Sequence, residues 1–337
     1  MIHRSFIIFI GSVILLSVFF SCRSKKNKVV AYTSVDQVFS DPVFRQCQKS
    51  AGLTVKTLFD TEETKSTGVL NRLIAEAKTP QADVFWSGDP VRPFVLIDRG
   101  LTLAYQSPNA ANIPTVFRGS GGMWSGLAAR ARVLLVNTDL VTEALDPKSI
   151  RDLADPAWKG KTAIANPLFG TTTMHVAALF SVWGTEPAKA FLQQLKSNDV
   201  RIASSNGEVK RLVVSGEVAF GLTDTDDAFE AVADGAPVRI VYPDQAEMGT
   251  LVMPTVAVLL KGGPHPEKGK KLIDCLLSGE AEEYLAEHGA HMPLRPGTPV
   301  PANMRSVDSI KAMQVDYAKV AKTMEEIQPW LREWVGL

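Results

Sequence analysis

Short β-rich runs alternate with segments of helical apolar spacing along almost the whole chain, and this alternation restricts the fold more than any other feature. Residues 29–33, 53–59 and 82–86 have the composition of strands. Between them, residues 38–51 form a helical segment stopped by Gly52, and Val69, Leu70, Leu73, Ile74 and Ala77 fall on one helical stripe. Pro90 predicts the first turn of a further helix and Gly100 its end. After the breaker Ser120-Gly121-Gly122 a second series follows. It has strands at 161–165, 218–222 and 238–241, helices at 171–183 and 187–195, and a helix opened by Ser205-Asn206-Gly207-Glu208 in capping-box spacing. Strands alternating with helices predict parallel sheets flanked by helices. Two long apolar runs, 127–136 and 251–260, are suited to cross between two such lobes, and the chain closes with a helix at 266–277 and two more amphipathic helices.

Ahead of this body stands a different grammar. His3 and Arg4 precede an apolar run over 6–20, then Ser21, Cys22 and the polar, basic stretch 23–28. Charge, apolar run and small residue in this order mark a secretory signal, and a cysteine directly after a small residue resembles the acylation site of a bacterial lipoprotein. The run is about 15 residues, short of the ~20 that a spanning helix needs. An uncleaved anchor and a signal cut elsewhere stay open beside the lipoprotein reading, for which Phe19-Phe20 is atypical. With 337 residues, 45% hydrophobic, 21% charged and a formal net charge of +0, the chain has ordinary globular composition for about two domains. Signs are interspersed without a basic stripe, which argues against a nucleic-acid partner. Once Cys22 is assigned to a lipid, Cys47 and Cys275 remain. An exported chain allows them to pair, and two buried small hydrophobes is the simpler expectation. CxxC, HExxH, GxSxG and Walker patterns are absent, so neither a structural zinc site nor a familiar catalytic constellation is expected. His175 is expected to be structural and His265 to lie on the surface.

In open α/β sheets ligands bind beyond the carboxyl ends of strands, where helices begin. Those junctions are rich in hydroxyls and carboxylates here: Thr33, Ser34 and Asp36; Asp60 to Thr64; Asp89 after Trp86; Gly170-Thr171-Thr172-Thr173; Ser204-Ser205-Asn206; and Thr223-Asp224-Thr225-Asp226-Asp227. Each is equally a set of helix caps. The glycine and three hydroxyls at 170–173 suit an anion at a helix start, whereas the acidic 223–227 segment suits a hard cation, a hydroxyl or an amine.

Over nearly the whole mature chain these segments resemble the substrate-binding proteins of ABC importers, of the ferric-iron-binding type. The resemblance is carried by VVAYTSVDQVFSDPVF (29–44), LNRLIAEAKTPQADVFWSGDPVR (70–92), GLAARARVLLVNT (126–138), ANPLFGTTTMHVAALF (165–180), GLTDTDDA (221–228) and KGGPHPEKGKKLIDCLLS (261–278). It implies the two-lobed α/β periplasmic binding protein fold of type II, with two crossing hinge strands and a ligand enclosed between the lobes. The expected division is a signal peptide at 1–22, a tether at 23–28, lobe 1 at 29–125 plus 256–293, and lobe 2 at 126–255 plus 294–337. The expected ligand residues are Thr33, Ser34, Asp36, Thr61 and Asp89 from lobe 1, with Thr171, Thr172, Asn206, Asp224, Thr225 and Asp226 from lobe 2. Ferric members use an adjacent tyrosine pair with a His and a Glu. The pair falls near Thr225 and Asp226, the His at Asp36 and the Glu near Gly88 or Asp89, so this chain has no phenolate there. Asp36, Asp89 and Asp226 would be the oxygen ligands if the cargo is a ferric ion; an oxyanion such as a sugar phosphate or phosphonate is the alternative. No cofactor is required. The resemblance further implies a monomer, lipid-anchored in the periplasm or on the outer face of the cytoplasmic membrane, which serves a permease and its ATPase and is not an enzyme.

Overall fold

The computed structural model describes residues 27–60, 67–302 and 304–337; the expectations for residues 1–22, Cys22 included, and for Thr61 lie outside them. The chain opens with β1 (Lys28–Thr33), α1 (Gln37–Ser50), β2 (Thr54–Phe59), α2 (Thr67–Ala75), β3 (Val84–Ser87), α3 (Arg92–Asp98) and the short β4 (Thr102–Leu103). Strand β1 pairs in parallel with β2 and β3, as the alternation predicts. The first turn of α3 holds Pro93; Pro90 precedes the helix, because the Asp89 carboxylate draws Val91 and Arg92 into a turn, accepting both their N–H groups at 3.0 Å.

The long strand β5 (Ser125–Asn137) follows, then β6 (Thr162–Ala165), α4 (Gly170–Trp183), α5 (Thr185–Ser197), β7 (Arg201–Ala203), α6 (Asn206–Val214), β8 (Phe220–Asp224), α7 (Thr225–Ala233) and β9 (Val238–Val241). Strand β10 (Val252–Leu260) returns, and α8 (Pro266–Leu276), α9 (Gly279–Gly289) and α10 (Tyr317–Val335) complete the fold. The sheet order is β2-β1-β3-β10-β5-β8-β6-β7, with β4 beside β10 and β9 beside β5. The two apolar runs are thus the central antiparallel strands. Residues 125–131 of β5 pair with β10, and residues 132–137 pair with β8 and β9. Every residue of β10 is buried, as is every residue of β5 except Arg130. That explains their unbroken apolar composition, since a strand covered on both faces has no polar side to present.

The crossing is locked by a bulge. The register shifts at Pro254 and Thr255, opposite Ala128, whose φ of 42° lies in the left-handed region. Such a backbone costs about 1–3 kcal/mol outside glycine and persists only under surrounding constraint. Glu282 of α9, fully buried, supplies it: one carboxylate oxygen accepts from Ala128 N–H at 3.4 Å and Leu294 N–H at 3.2 Å, while Arg295 Nε stands 3.3 Å from the other. Thr255 donates to the Leu127 carbonyl at 2.5 Å and accepts from the Trp86 indole at 3.0 Å. Trp86 is fully buried core. The Tyr317 hydroxyl pins the start of α10 to β10 through the Val252 carbonyl, 2.8 Å away.

His265 is not a free surface residue: its N–H bonds Asp83, a fully buried carboxylate that also accepts from Val30 N–H at 2.8 Å and faces the His265 ring at 3.3 Å. Among the described residues no helix is long and apolar enough to cross a membrane. Cys47 of α1 and Cys275 of α8 are joined in a disulfide, Cα atoms 5.6 Å apart and 228 residues apart in sequence. Two separate buried thiols is therefore corrected: packing α8 against α1 brings the sulfurs together, which their spacing in sequence could not show. Replacing Cys47 and Cys275 together by serine removes the constraint on a very long loop, worth about 5 kcal/mol in the chain-entropy model. Urea denaturation of the oxidised protein and of the double variant should show a lower midpoint for the variant, and equal midpoints would count against the bond.

Candidate functional site

The carboxyl ends of the parallel strands meet across one cleft of about 1560 Å³, lined from both sheet halves by strand-to-helix junctions. This exceeds the usual ~300–1,000 Å³ of a small-molecule pocket, so a ligand with an organic body fits as readily as an ion. Ser34, Asp36, Gly88 and Asp89 line one wall; Thr171, Thr172, Asn206, Asp224 and Asp226 line the other, so nine positions, eight of them expected site residues, share one space. Gly88 is needed where it stands: a Cβ there would lie 2.9 Å from the Ser34 carbonyl oxygen. Its absence lets the two turns touch, with Gly88 N–H donating to Ser34 Oγ at 3.0 Å.

Two expected residues face inward instead. The Thr33 hydroxyl, fully buried, donates to the Trp86 carbonyl at 2.8 Å and accepts from Val35 N–H at 3.0 Å, tying β1 to β3. Thr225, also fully buried, accepts from Ala131 N–H at 3.1 Å and ties α7 to β5. Both hydroxyls serve the frame rather than a ligand, because a buried backbone group needs a partner at each point.

The residues missed were the arginines between them. Arg130 and Arg132 stand at i and i+2 of β5, hence on one face. Arg132 is fully buried, directly opposite Asp224 in the strand register. Its Nη1 donates to Asp224 Oδ1 at 2.5 Å, to Thr171 Oγ1 at 3.1 Å and to Asn206 Oδ1 at 3.1 Å, and its Nη2 donates to Thr172 Oγ1 at 3.2 Å. Thr171 donates in turn to Asp224 Oδ2 at 2.9 Å, as does Asn206 at 3.2 Å. The hydroxyls that the sequence offers to a ligand are thus spent largely on one buried ion pair. Arg130 lies nearer the opening. Its Nη1 donates to Asp226 Oδ2 at 3.1 Å and to Asp224 Oδ2 at 3.4 Å, and its Nη2 donates to the Gly88 carbonyl at 3.1 Å. The signal was two arginines inside an otherwise apolar crossing run.

Electrostatics follow from these pairs. Burial works against the Asp226 carboxylate, but the Arg130 guanidinium, with His291 behind it, holds it below the usual range. For Asp227 burial and then the neighbouring charges of Asp226 and Asp224 outweigh the pull of Lys210 and the Thr223 hydroxyl and push it up to about 7. His291 is held down by burial first and by Arg130 next, and His175, buried in α4 near Arg132, is pushed down to about 3, so both imidazoles stay neutral at pH 7.

The junctions differ in how their helix starts are capped. Ser205 does cap α6, accepting from Glu208 N–H at 3.1 Å, while the Glu208 carboxylate reaches back to Ser204 rather than Ser205. The helices α1, α4 and α7 start without a side-chain cap, at Asp36, Phe169 and Asp224. These three helix starts border the cleft with their positive dipole ends, an arrangement suited to oxyanions. Asp36, Asp89 and Asp226 line the same space, yet no three His, Cys, Asp or Glu side chains are grouped as a metal site among the described residues.

Two α/β halves, two crossing strands and a polar cleft at the strand ends define a two-lobed solute-binding receptor. The comparisons agree: residues 80–323 match the model of the bacterial extracellular solute-binding proteins, and the chain belongs to that family. It is 28% identical over 333 residues to a putative 2-aminoethylphosphonate-binding periplasmic protein of Salmonella typhimurium, covering 95% of this chain and 92% of the relative. It is 26% identical over 300 residues to iron uptake protein A1 of Synechocystis, covering 86% and 81%. Among solved structures the Bordetella ferric binding protein superposes with a TM-score of 0.77 at 28% identity, covering 92% of this chain and 99% of that one. The two-lobed fold and the family resemblance drawn from the sequence hold.

Asp227 generates a pH prediction. Its folded pKa lies above the unfolded value, so its contribution to stability is complete below pH ~4 and is lost as pH rises through about 7. Thermal melting of the wild type and Asp227→Asn across this window should show the variant gaining on the wild type as pH rises. A difference independent of pH would contradict the assignment.

Proposed function

We propose that this chain is the ligand-capturing receptor of an ABC importer, exported and tethered to the membrane through an acylated Cys22, and that it closes on a small oxyanion such as a phosphonate or sugar phosphate for delivery to a permease. The observation that carries the ligand class is the charge arrangement of the cleft. The floor carboxylates Asp224 and Asp226 are already paired with Arg132 and Arg130, while the positive dipole ends of α1, α4 and α7, none capped by its own N-cap side chain, border the cleft. The lobes are read as 29–125 plus 256–293 and 126–255 plus 294–337, meeting along β5. A ligand that contacts both walls stabilises the closed state by its extra contacts there. The floor side chains are engaged with one another, which supports binding without turnover.

A second reading, ferric iron as cargo, is favoured by what the names of the Synechocystis and Bordetella proteins state. With the floor carboxylates paired, iron would enter this cleft as an anionic chelate whose oxygens meet the helix starts.

Thermal melting with 2-aminoethylphosphonate, inorganic phosphate and ferric citrate separates the two. A ligand at about 100 times its dissociation constant adds about 2.7 kcal/mol. Stabilisation by the phosphonate or phosphate alone is the expected result, stabilisation by ferric citrate alone supports the second reading, and no shift with any of them would overturn both. The tether is tested separately: Cys22→Ser should move the protein from the membrane to the soluble fraction, and retention would mark residues 6–20 as an uncleaved anchor.

A further inference from the structure

Arg130 is the partly exposed member of the arginine pair, with one fifth of its side chain exposed and the rest enclosed. It is borne on the strand shared by the two sheet halves, and its guanidinium reaches both walls: the Gly88 carbonyl at the end of β3, and the Asp226 and Asp224 carboxylates at the β8–α7 junction. Asp36, on the opposite wall, adds to its negative surroundings. The hard oxygen donors of the floor therefore converge on a nitrogen cation that the protein itself supplies. Arg132 neutralises Asp224 from the buried side, so Asp226 is the floor carboxylate whose charge depends on Arg130. A guanidinium remains protonated at any physiological pH, so this positive charge is a permanent part of the cleft.

We propose that Arg130 is the charge-selectivity determinant of the cleft, a resident cation that occupies the carboxylate floor, admits oxyanions or anionic chelates, and excludes bare metal ions. The inference deepens the oxyanion reading above and rests on the same cleft being the ligand site. Two consequences separate it from a purely structural salt bridge. Removal of the charge should create affinity for a hard cation where the wild type has little, and that gain should depend on Asp226. A structural ion pair, once broken, would lower stability without creating a new affinity.

The probe is terbium(III), a hard trivalent ion that prefers oxygen donors, followed by equilibrium dialysis in buffer without citrate or phosphate. Wild type and Arg130→Lys, which retains the charge, should show only weak, non-saturable uptake. Arg130→Gln should acquire a saturable site at least tenfold tighter, and the double variant Arg130→Gln/Asp226→Asn should lose it. Circular dichroism checks that each variant is folded. Saturable terbium binding by the wild type that Asp226→Asn abolishes would overturn the proposal whether or not Arg130→Gln folds. So would equal uptake by wild type and folded Arg130→Gln, or a gain that survives in the double variant. Because the readout uses a metal and not the natural ligand, failure of the phosphonate and phosphate panel would strike the oxyanion reading and leave this result standing on its own.

Discussion

Strand β5 has to satisfy two sheets at once, and most of what distinguishes this molecule follows from that demand. A buried backbone finds no water, so each N–H and carbonyl along the strand must be paired within the protein. The first half of β5 pairs with β10 and the second half with β8 and β9. The changeover places residues 130–132 at the base of the cleft, and there the strand departs from its apolar pattern. Two arginines enter a stretch of alanine, valine and leucine, and the carboxylates of the β8–α7 junction turn to meet them. The bulge at Ala128, held by the buried Glu282, sets the register that brings the two arginines onto the cleft face. Arg132 with Asp224 is a buried pair of the kind whose net worth is small when complete and whose half-removal costs about 3–5 kcal/mol. Its value lies in fixing the floor rather than in adding stability.

The helix starts complete the site. Several of them border the cleft together, and they differ in how each is finished. Ser205 caps α6 with its own hydroxyl, whereas the N-cap side chains of α1, α4 and α7 make no capping bond to their helices. A helix start presents a positive dipole end. Beside paired carboxylates, such ends support the proposed preference for an acceptor over a bare cation. Phe169, 65% exposed at the lip, and Phe39 on the facing wall add apolar surface, which suits a ligand with carbon in its body. Family membership leaves this choice open, because receptors of one fold carry ligands of different charge on sites built from a few junction residues.

Much of this was legible in the chain. The alternation of strands and helices, the two crossing runs and the polar junctions were all visible, since each depends on residues close in sequence. Eight of the eleven expected ligand residues line one cleft. Thr33 and Thr225 do not, because a junction hydroxyl in sequence looks the same whether it turns toward solvent or back to a neighbouring strand, and the direction is decided by Trp86 and Ala131, far away along the chain. The arginines were visible but unread. Inside an apolar run they appear as exceptions, and only a partner from residues 224–226 gives them a role. The Cys47–Cys275 bond was hidden for the same reason, being a contact between two helices separated by most of the molecule.

By itself, the sequence determined the class of element at nearly every position, the sheet-forming and crossing runs, and where polar groups would collect, because hydrophobic periodicity and turn chemistry act over a few residues. The tertiary structure alone decided which of those polar groups line the cleft and which are neutralised within the protein. Charges are neutralised by whatever is nearest in space, and in this cleft the nearest cations to Asp224 and Asp226 lie about ninety residues earlier in the chain. Whether an acidic junction is a cation site or the base of an anion site is therefore settled by packing across β5, not by the composition of the junction.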